Sequence, residues 1–318
     1  MTFLIQQTLI YAVPLMIVAL AGVFAERSGI INLALEGIMI FGAFIGVLFV
    51  RLMQGSQAVL AAKQAGDWVA LQGLELLTML VAAAMGAVFS LLLSFASINL
   101  RADQTIGGTA LNLLATAVAV VIAKNFSDSG SAKLNYTNKP FLFSIGGLEL
   151  SVFVPLGIIL LIISYVVLYK TRFGLRLCAC GEHPQAADSV GINVYRMRYA
   201  GVLISGVLGG LGGIVYIIAG VSEWKFENGV AGFGFLALAV MIFGQWKPTR
   251  IALAALLFGF FRALGNVYSG FDLLSNLNLP SSVYNMLPYV ISLVVLAFTS
   301  QKSRAPKAEG IPYDKGQR

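Results

Sequence analysis

Charge is what this sequence has least of. Of its 318 residues only 11% are Asp, Glu, Lys or Arg, against 58% hydrophobic residues and 34 glycines. A soluble domain carries about 25% charged residues, so too little charge is present to cover a water-exposed surface. Histidine occurs once, as His183, and cysteine twice, in Cys178-Ala-Cys180. Without a second cysteine pair or a histidine cluster, these exclude a disulfide scaffold and a zinc site, and they read as reduced thiols. The G-x-x-x-x-G-K-[ST] phosphate loop is missing, so the chain does not itself bind ATP in the usual way, and H-E-x-x-H is missing too. No Ser, His and Asp fall into a nucleophile pattern, and nothing calls for a cofactor. The hydrophobicity excludes disorder. What remains is an all-α, polytopic membrane protein.

A membrane-crossing helix needs about 20 apolar residues to cover about 30 Å of hydrocarbon. Nine windows qualify, near 4–24, 30–50, 72–98, 105–123, 151–169, 199–220, 230–245, 251–268 and 284–300. The window at 230–245 is short and that at 72–98 long, which sets a range of eight to ten spans. The N-terminus lacks the basic region and cleavage site of a removable signal peptide, so its first apolar stretch is expected to stay as a span.

The net charge of +7 could suggest nucleic acid, but its distribution argues against that partner. With nine spans, one side carries fourteen basic residues: Arg27, Arg101, five between Lys170 and Arg198, Lys247, Arg250, and five from Lys302 to Arg318. The other side carries six (Arg51, Lys63, Lys124, Lys133, Lys139 and Lys225), and Arg262 falls within a span. The positive-inside rule then puts the C-terminus in the cytoplasm and the N-terminus outside. The transmembrane unit covers residues 1–300, and the polar tail 301–318 is expected to be cytoplasmic and mobile. Residues 124–150, rich in Ser, Gly, Asn and Lys, read as an external loop.

Polar residues within apolar spans need partners or a wet cavity. Asn32 and Glu36 share a helix face. Thr105, Thr109, Asn112 and Thr116 make a polar stripe, and Arg262 shares a face with Asn266. Asn32, Glu36, Asn112 and Asn266 are the candidate pathway residues, and Glu36 could pair with Arg262. With Glu75 only near a span end, one carboxylate is thin material for a proton relay, so a transporter of this composition is expected to take its energy from elsewhere. Gly42/Gly46, Gly206/Gly210 and Gly209/Gly213 have GxxxG spacing, read first as close packing within one subunit.

The longest cytoplasmic connection, 170–198, contains Pro184 and Gly191 around a stretch suited to a two-turn helix over 184–190. In it Ala186, Ala187 and Val190 share an apolar face, while Gln185, Asp188 and Ser189 point elsewhere. Two turns are too few to be stable alone in water, so this helix must lean on its own spans or dock on a partner.

Five stretches carry a family resemblance in register: ERSGIINLALEGIMIFGAF (26–44), TIGGTALNLLA (105–115), EHPQAADSVGINVYRMRYAGVLISGVLGGLGG (182–213), GFGFLALAVMIFGQWKP (232–248) and NMLPYVISLVVLA (285–297). Together they resemble permease subunits of bacterial nucleoside ABC importers, a branch of the permeases for simple sugars and branched-chain amino acids. The resemblance implies a plasma-membrane heterodimer with a second, related permease, a lipid-anchored substrate-binding protein and a cytoplasmic ATPase. It also implies that Pro184, Gln185, Ala186, Ala187, Asp188, Ser189, Val190 and Gly191 form the coupling helix seated on that ATPase. The alternatives are a ribose, galactose or amino-acid substrate on the same scaffold, a stand-alone ion-coupled carrier or channel, and a membrane-embedded enzyme.

Overall fold

The computed structural model describes residues 2–126, 130, 133–135, 142–145, 148–220, 223–267, 281–299 and 304–316. In chain order the helices are α1 (Thr2–Glu26), α2 (Leu35–Gln54), α3 (Gln57–Ala65), α4 (Trp68–Ser94), α5 (Gln104–Phe126), α6 (Phe153–Lys170) and α7 (Arg172–Glu182). They continue with α8 (Pro184–Ser189), α9 (Val194–Gly220), α10 (Phe233–Phe243), α11 (Pro248–Val267) and α12 (Ser281–Thr299). Among the described residues, α1, α2, α4, α5, α6, α9 and α11 are long and apolar enough to cross a bilayer, α4 being extended by a π turn through Asn99. Of the two remaining apolar windows, 230–245 becomes the 11-residue α10. The other, 284–300, falls on α12, with residue 300 outside the described residues.

The loop 124–150 holds β1 (Lys133–Asn135), β2 (Leu142–Ile145) and part of β3 (Leu148–Ser151). β2 and β3 form a hairpin, and β1 pairs antiparallel with β4 (Glu223–Lys225). Other parts of that loop, Lys139 included, lie outside the described residues. These short pairs tie connections together and leave the fold all-α.

Burial identifies the centre of the bundle. In α1 78% and in α9 83% of the apolar window is buried, whereas α5 and α6 keep most of theirs on the surface. Inside a bilayer no hydrophobic force pulls helices together, so close backbone approach has to supply the attraction. The glycines of α9 make that approach possible on three sides. A methyl group on Gly210 would lie 2.3 Å from the Ala82 carbonyl oxygen of α4, and one on Gly213 would lie 2.3 Å from the Met39 carbonyl oxygen of α2. On Gly212 it would meet Val18 of α1 at 2.4 Å. The GxxxG pairs therefore pack helices of one chain against each other. Gly107 and Gly108, an adjacent pair able to bend a helix, lie within an unbroken α5.

Two connections depart from regular helix in the interior. After α1 the chain runs without helix through 27–34, climbing alongside α9, and α2 begins where Leu35 and Ile38 lie against Gly209, more than halfway along α9. After α9 the chain returns through β4 and a 3-10 turn (Phe226–Asn228) before α10 begins at Phe233. At about 1.5 Å per residue α10 is about 16 Å long, half the hydrocarbon thickness. It ends in a tight turn with Gln245 and Trp246 in the left-handed region (φ 50° and 55°).

The majority group of basic residues gathers at one end of the bundle, the tail end. Arg27 reaches Glu182 at 3.5 Å, Arg101 reaches Asp314 at 3.0 Å, and Lys170 and Lys247 line one shallow pocket. Lys302 and Arg318 lie outside the described residues. The tail differs from the expected mobile segment, because residues 304–316 fold back onto this end. Ala308 N–H donates to the Gly181 carbonyl (2.8 Å) and Gly310 N–H to the Gly29 carbonyl (3.2 Å). The buried Arg198 Nη1 donates to the Ile311 carbonyl at 3.0 Å.

Gly210→Val should force α4 away from α9 and cost about 1–3 kcal/mol, read as a lowered Tm of the detergent-solubilised protein. Gly107→Ala, with nothing within 4 Å of its added methyl, should leave the Tm unchanged.

Candidate functional site

The two irregular stretches meet at Glu36. Its carboxylate accepts from Gly232 N–H (2.9 Å) and Gly234 N–H (2.6 Å), which are unsatisfied donors at the start of α10. A helix N-terminus exposes such donors together with a partial positive charge, and a carboxylate satisfies both. Gly234 is required here, because a Cβ at that position would sit 2.5 Å from the backbone of Glu36.

The start of α2 is served from α5. Asn112 Oδ1 accepts from Gly37 N–H (2.7 Å), and its Nδ2 donates to the Leu33 carbonyl (2.8 Å). Two turns earlier on α5, Gln104 Oε1 accepts from Ile31 N–H at 2.7 Å. Side chains at positions 104 and 112 thus replace the helical partners that 30–37 lacks.

Around this junction lies a cavity of about 300 Å³ that is open on one side. Glu36, Thr109, Asn112, Thr116, Glu227 and Phe235 line it, with Ile40, Leu113 and Gly229. Much of its polar capacity is already engaged. Thr109 and Thr116 donate to carbonyls of their own helix, and Asn112 uses both ends of its amide. Glu227, by contrast, is exposed.

The four pathway candidates therefore separate. Glu36 and Asn112 come together at the cavity. Asn32 is buried away from it, donating to Ser205 Oγ of α9 at 2.8 Å, while its Oδ1 has no partner among the described residues. Asn266 is exposed and donates to the Tyr11 hydroxyl. The suggested Glu36–Arg262 pair does not form, because Glu36 is held by the α10 backbone. Arg262 instead lies over the Phe233 ring, 6.0 Å from its centre, and Phe233 also stacks on Tyr216. Thr105 belongs to the α5 stripe in sequence but does not line the cavity. Sequence reasoning missed Glu227, which sits in a stretch that reads as connection, and Gln104, just before a span. It also missed Glu26, whose carboxylate accepts from Trp246 Nε1 and so ties the far end of α10 to α1.

At the tail end, α8 spans Pro184–Ser189, one residue shorter than expected, and His183 caps it by accepting from Ala186 N–H at its Nδ1 (3.2 Å). Its apolar residues do not share a face. Pro184 and Ala187 are buried, and Ala187 packs in a cluster with Cys180, Val194 and Tyr313. Gln185, Ala186, Ser189 and Val190 (74% exposed) face outward. Gly191 follows in the left-handed region (φ +83°), a conformation that suits glycine. The preceding helix α7 was not foreseen. It begins at a Thr171 cap and packs Leu177 and Cys180 inward.

A bundle of membrane-spanning helices with a half-length helix, a cavity with polar side chains at its inner end and a short helix packed outside the spans has the architecture of a transport permease. Residues 4–296 match the family described as the branched-chain amino acid transport system / permease component, and the chain belongs to it. It is a permease component of an ABC transporter, not an enzyme. It is 42% identical to the nucleoside ABC transporter permease protein NupC of Lactococcus lactis subsp. cremoris, over 98% of this chain and 96% of that protein. It is 40% identical to the guanosine ABC transporter permease protein NupQ of Bacillus subtilis, over 100% of this chain and 98% of that one. A second Lactococcus lactis nucleoside permease protein, NupB, is 27% identical over 49% of this chain and 41% of its own length. No solved structure matches the chain.

Asn112→Leu should leave the Gly37 N–H and Leu33 carbonyl unpaired, at about 1–3 kcal/mol for each buried group. The Tm in detergent should fall by several degrees, while Thr109→Val, which removes only a bond within α5, should leave it nearly unchanged.

Proposed function

We propose that this chain is one of two related permease subunits of an ATP-driven nucleoside importer in a bacterial plasma membrane, with its tail end in the cytoplasm. The observation that carries the reading is the cavity at Glu36. It sets polar side chains among an apolar lining, lies where α2 and α10 begin, and is open on one side. A second permease set against α5 would close it into a pathway, and the existence of NupB beside NupC supports two different halves. Nucleosides are neutral and rich in hydroxyl and ring N–H groups, so a cavity of threonines, an amide and carboxylates can pass them without a cationic lining. Because Asn112 and Glu36 already serve the backbone, the cavity holds substrate weakly. Affinity is left to a lipid-anchored binding protein that delivers it.

Energy enters at α8. Its outward residues Gln185, Ala186, Ser189 and Val190 form the surface that docks on a cytoplasmic ATPase, while Pro184 and Ala187 hold it to its own spans. Asp188 and Gly191 complete the coupling helix, the glycine turning the chain back toward α9. ATP-driven movement of α8 would tilt α6 and α9, the spans on either side of the loop.

Uptake of labelled nucleosides by cells carrying all components should need both the ATPase and this permease. Uptake that survives loss of the ATPase contradicts the ABC assignment, and uptake unchanged on loss of the permease contradicts the substrate. Val190→Glu should abolish co-purification with the ATPase and leave membrane insertion intact. A variant that still co-purifies contradicts the placement of the docking surface.

A further inference from the structure

We infer that the C-terminal segment 304–316 is a strap that transmits movement of α8 to the interior stretch 27–34, with Tyr313 and Asp314 as its positioning residues. The inference builds on the reading of α8 as the ATPase-docking helix.

The strap touches both things it would have to connect. On the α8 side, Tyr313 is buried in the cluster formed by Cys180 of α7, Ala187 of α8 and Val194 of α9, with its ring 5.4 Å from that of Tyr195. Ala308 N–H is bonded to the Gly181 carbonyl of α7. On the interior side, Gly310 N–H is bonded to the Gly29 carbonyl, and a methyl group on Gly310 would meet Ile31 at 2.8 Å. Three residues beyond Gly29 stands Asn32, and beyond it Glu36 at the cavity. Between the two sides, Arg198 is 1% exposed, lies against Gly29, and gives Nη1 to the Ile311 carbonyl, while its Nε and Nη2 have no partner among the described residues. A buried guanidinium that loses its acceptor is strongly unfavourable, so the strap is held by more than surface contact. Its end is fixed by a bidentate pair, Arg101 Nη1 and Nη2 to the two Asp314 oxygens at 3.0 and 3.2 Å. The Gly316 N–H and Arg101 hold the Asp314 carboxyl below its ordinary pKa. Arg101 lies between α4 and α5, so the strap also reaches the helix that serves the start of α2.

Docking of the strap can be read without transport. Cys180 is fully buried under it, and burial pushes its thiol up to about 11. In a Cys178→Ser background, Tyr313→Ala should raise maleimide labelling of Cys180 by about tenfold or more, since reactivity follows thiolate content and access. Labelling unchanged from the parent would overturn the inference.

Transmission is read in proteoliposomes holding the complete complex. Arg101→Asp and Asp314→Arg break an exposed pair, and such pairs contribute little to stability. Each should leave ATP hydrolysis near the native rate and cut nucleoside imported per ATP by up to about tenfold, the range in which coupling residues act. The double variant should restore it, because the pair is re-formed in reverse, and aspartate tolerates the left-handed backbone (φ 53°) at position 101. Removal of 304–318 should give the largest loss. Native import per ATP from the truncated complex, or a double variant no better than either single one, would overturn the inference. Failure of the unaltered complex to import nucleosides would instead count against the transport reading, and the Cys180 result would stand apart from it.

Discussion

A hydrocarbon bilayer offers no partner to a backbone N–H or carbonyl, and irregular chain survives at membrane depth only where the protein supplies those partners. The structure meets that constraint at 31–37 and in the stretch leading to α10. Gln104 and Asn112 of α5 satisfy Ile31, Leu33 and Gly37, and Glu36 satisfies Gly232 and Gly234. The polar character of the centre follows from this need. Glu36 and Asn112, which repair the backbone of two interrupted helices, also line the cavity, so in the proposed function pathway and scaffold share side chains. On the proposed function, a substrate site built this way is weak by construction, which suits a conduit better than a receptor.

The same junction explains how a distant helix could matter. α9 is in contact with α1, α2 and α4 through glycines that leave no slack, so it moves as a unit with them or not at all. α8 is attached to its base through the loop and, by way of Tyr313, to the returning tail. The tail touches Gly29, and from Gly29 the chain runs directly to Asn32 and Glu36. Rigid packing on one route and a short strap on the other give two physical connections between the tail end and the cavity.

Most of the fold was legible because apolar length is a direct consequence of bilayer thickness. Windows for α1, α2, α5, α6 and α9 fall on the observed helices, and the short window at 230–245 foretold a short α10. What hydropathy could not show is that 30–34 is not helical. Ile30, Ile31, Leu33 and Ala34 are apolar enough to extend the window, and transfer energy says nothing about which backbone groups find partners. Glu36 and Asn112 were legible as polar residues in apolar surroundings, but the α10 backbone as the partner of Glu36 was not, since the two are nearly 200 residues apart in sequence. In α8, six residues are too few for periodicity to choose an inner face, and only Cys180, Val194 and Tyr313 reveal that Ala187 points inward while Val190 does not. The tail looked free because its anchors are single residues whose partners, such as Arg198, are supplied by the fold.

The central claim is that the cavity at Glu36 is the pathway and opens alternately to the two sides. Thr116→Cys in a chain with both native cysteines replaced by serine places a thiol on its wall. Labelling of the assembled transporter with a membrane-impermeant maleimide, applied from each side in turn with and without ATP trapped on the ATPase, tests the claim directly. The account predicts that the thiol is reached from one side in one state and from the opposite side in the other. A thiol reached equally from one side in both states, or from neither, would contradict it.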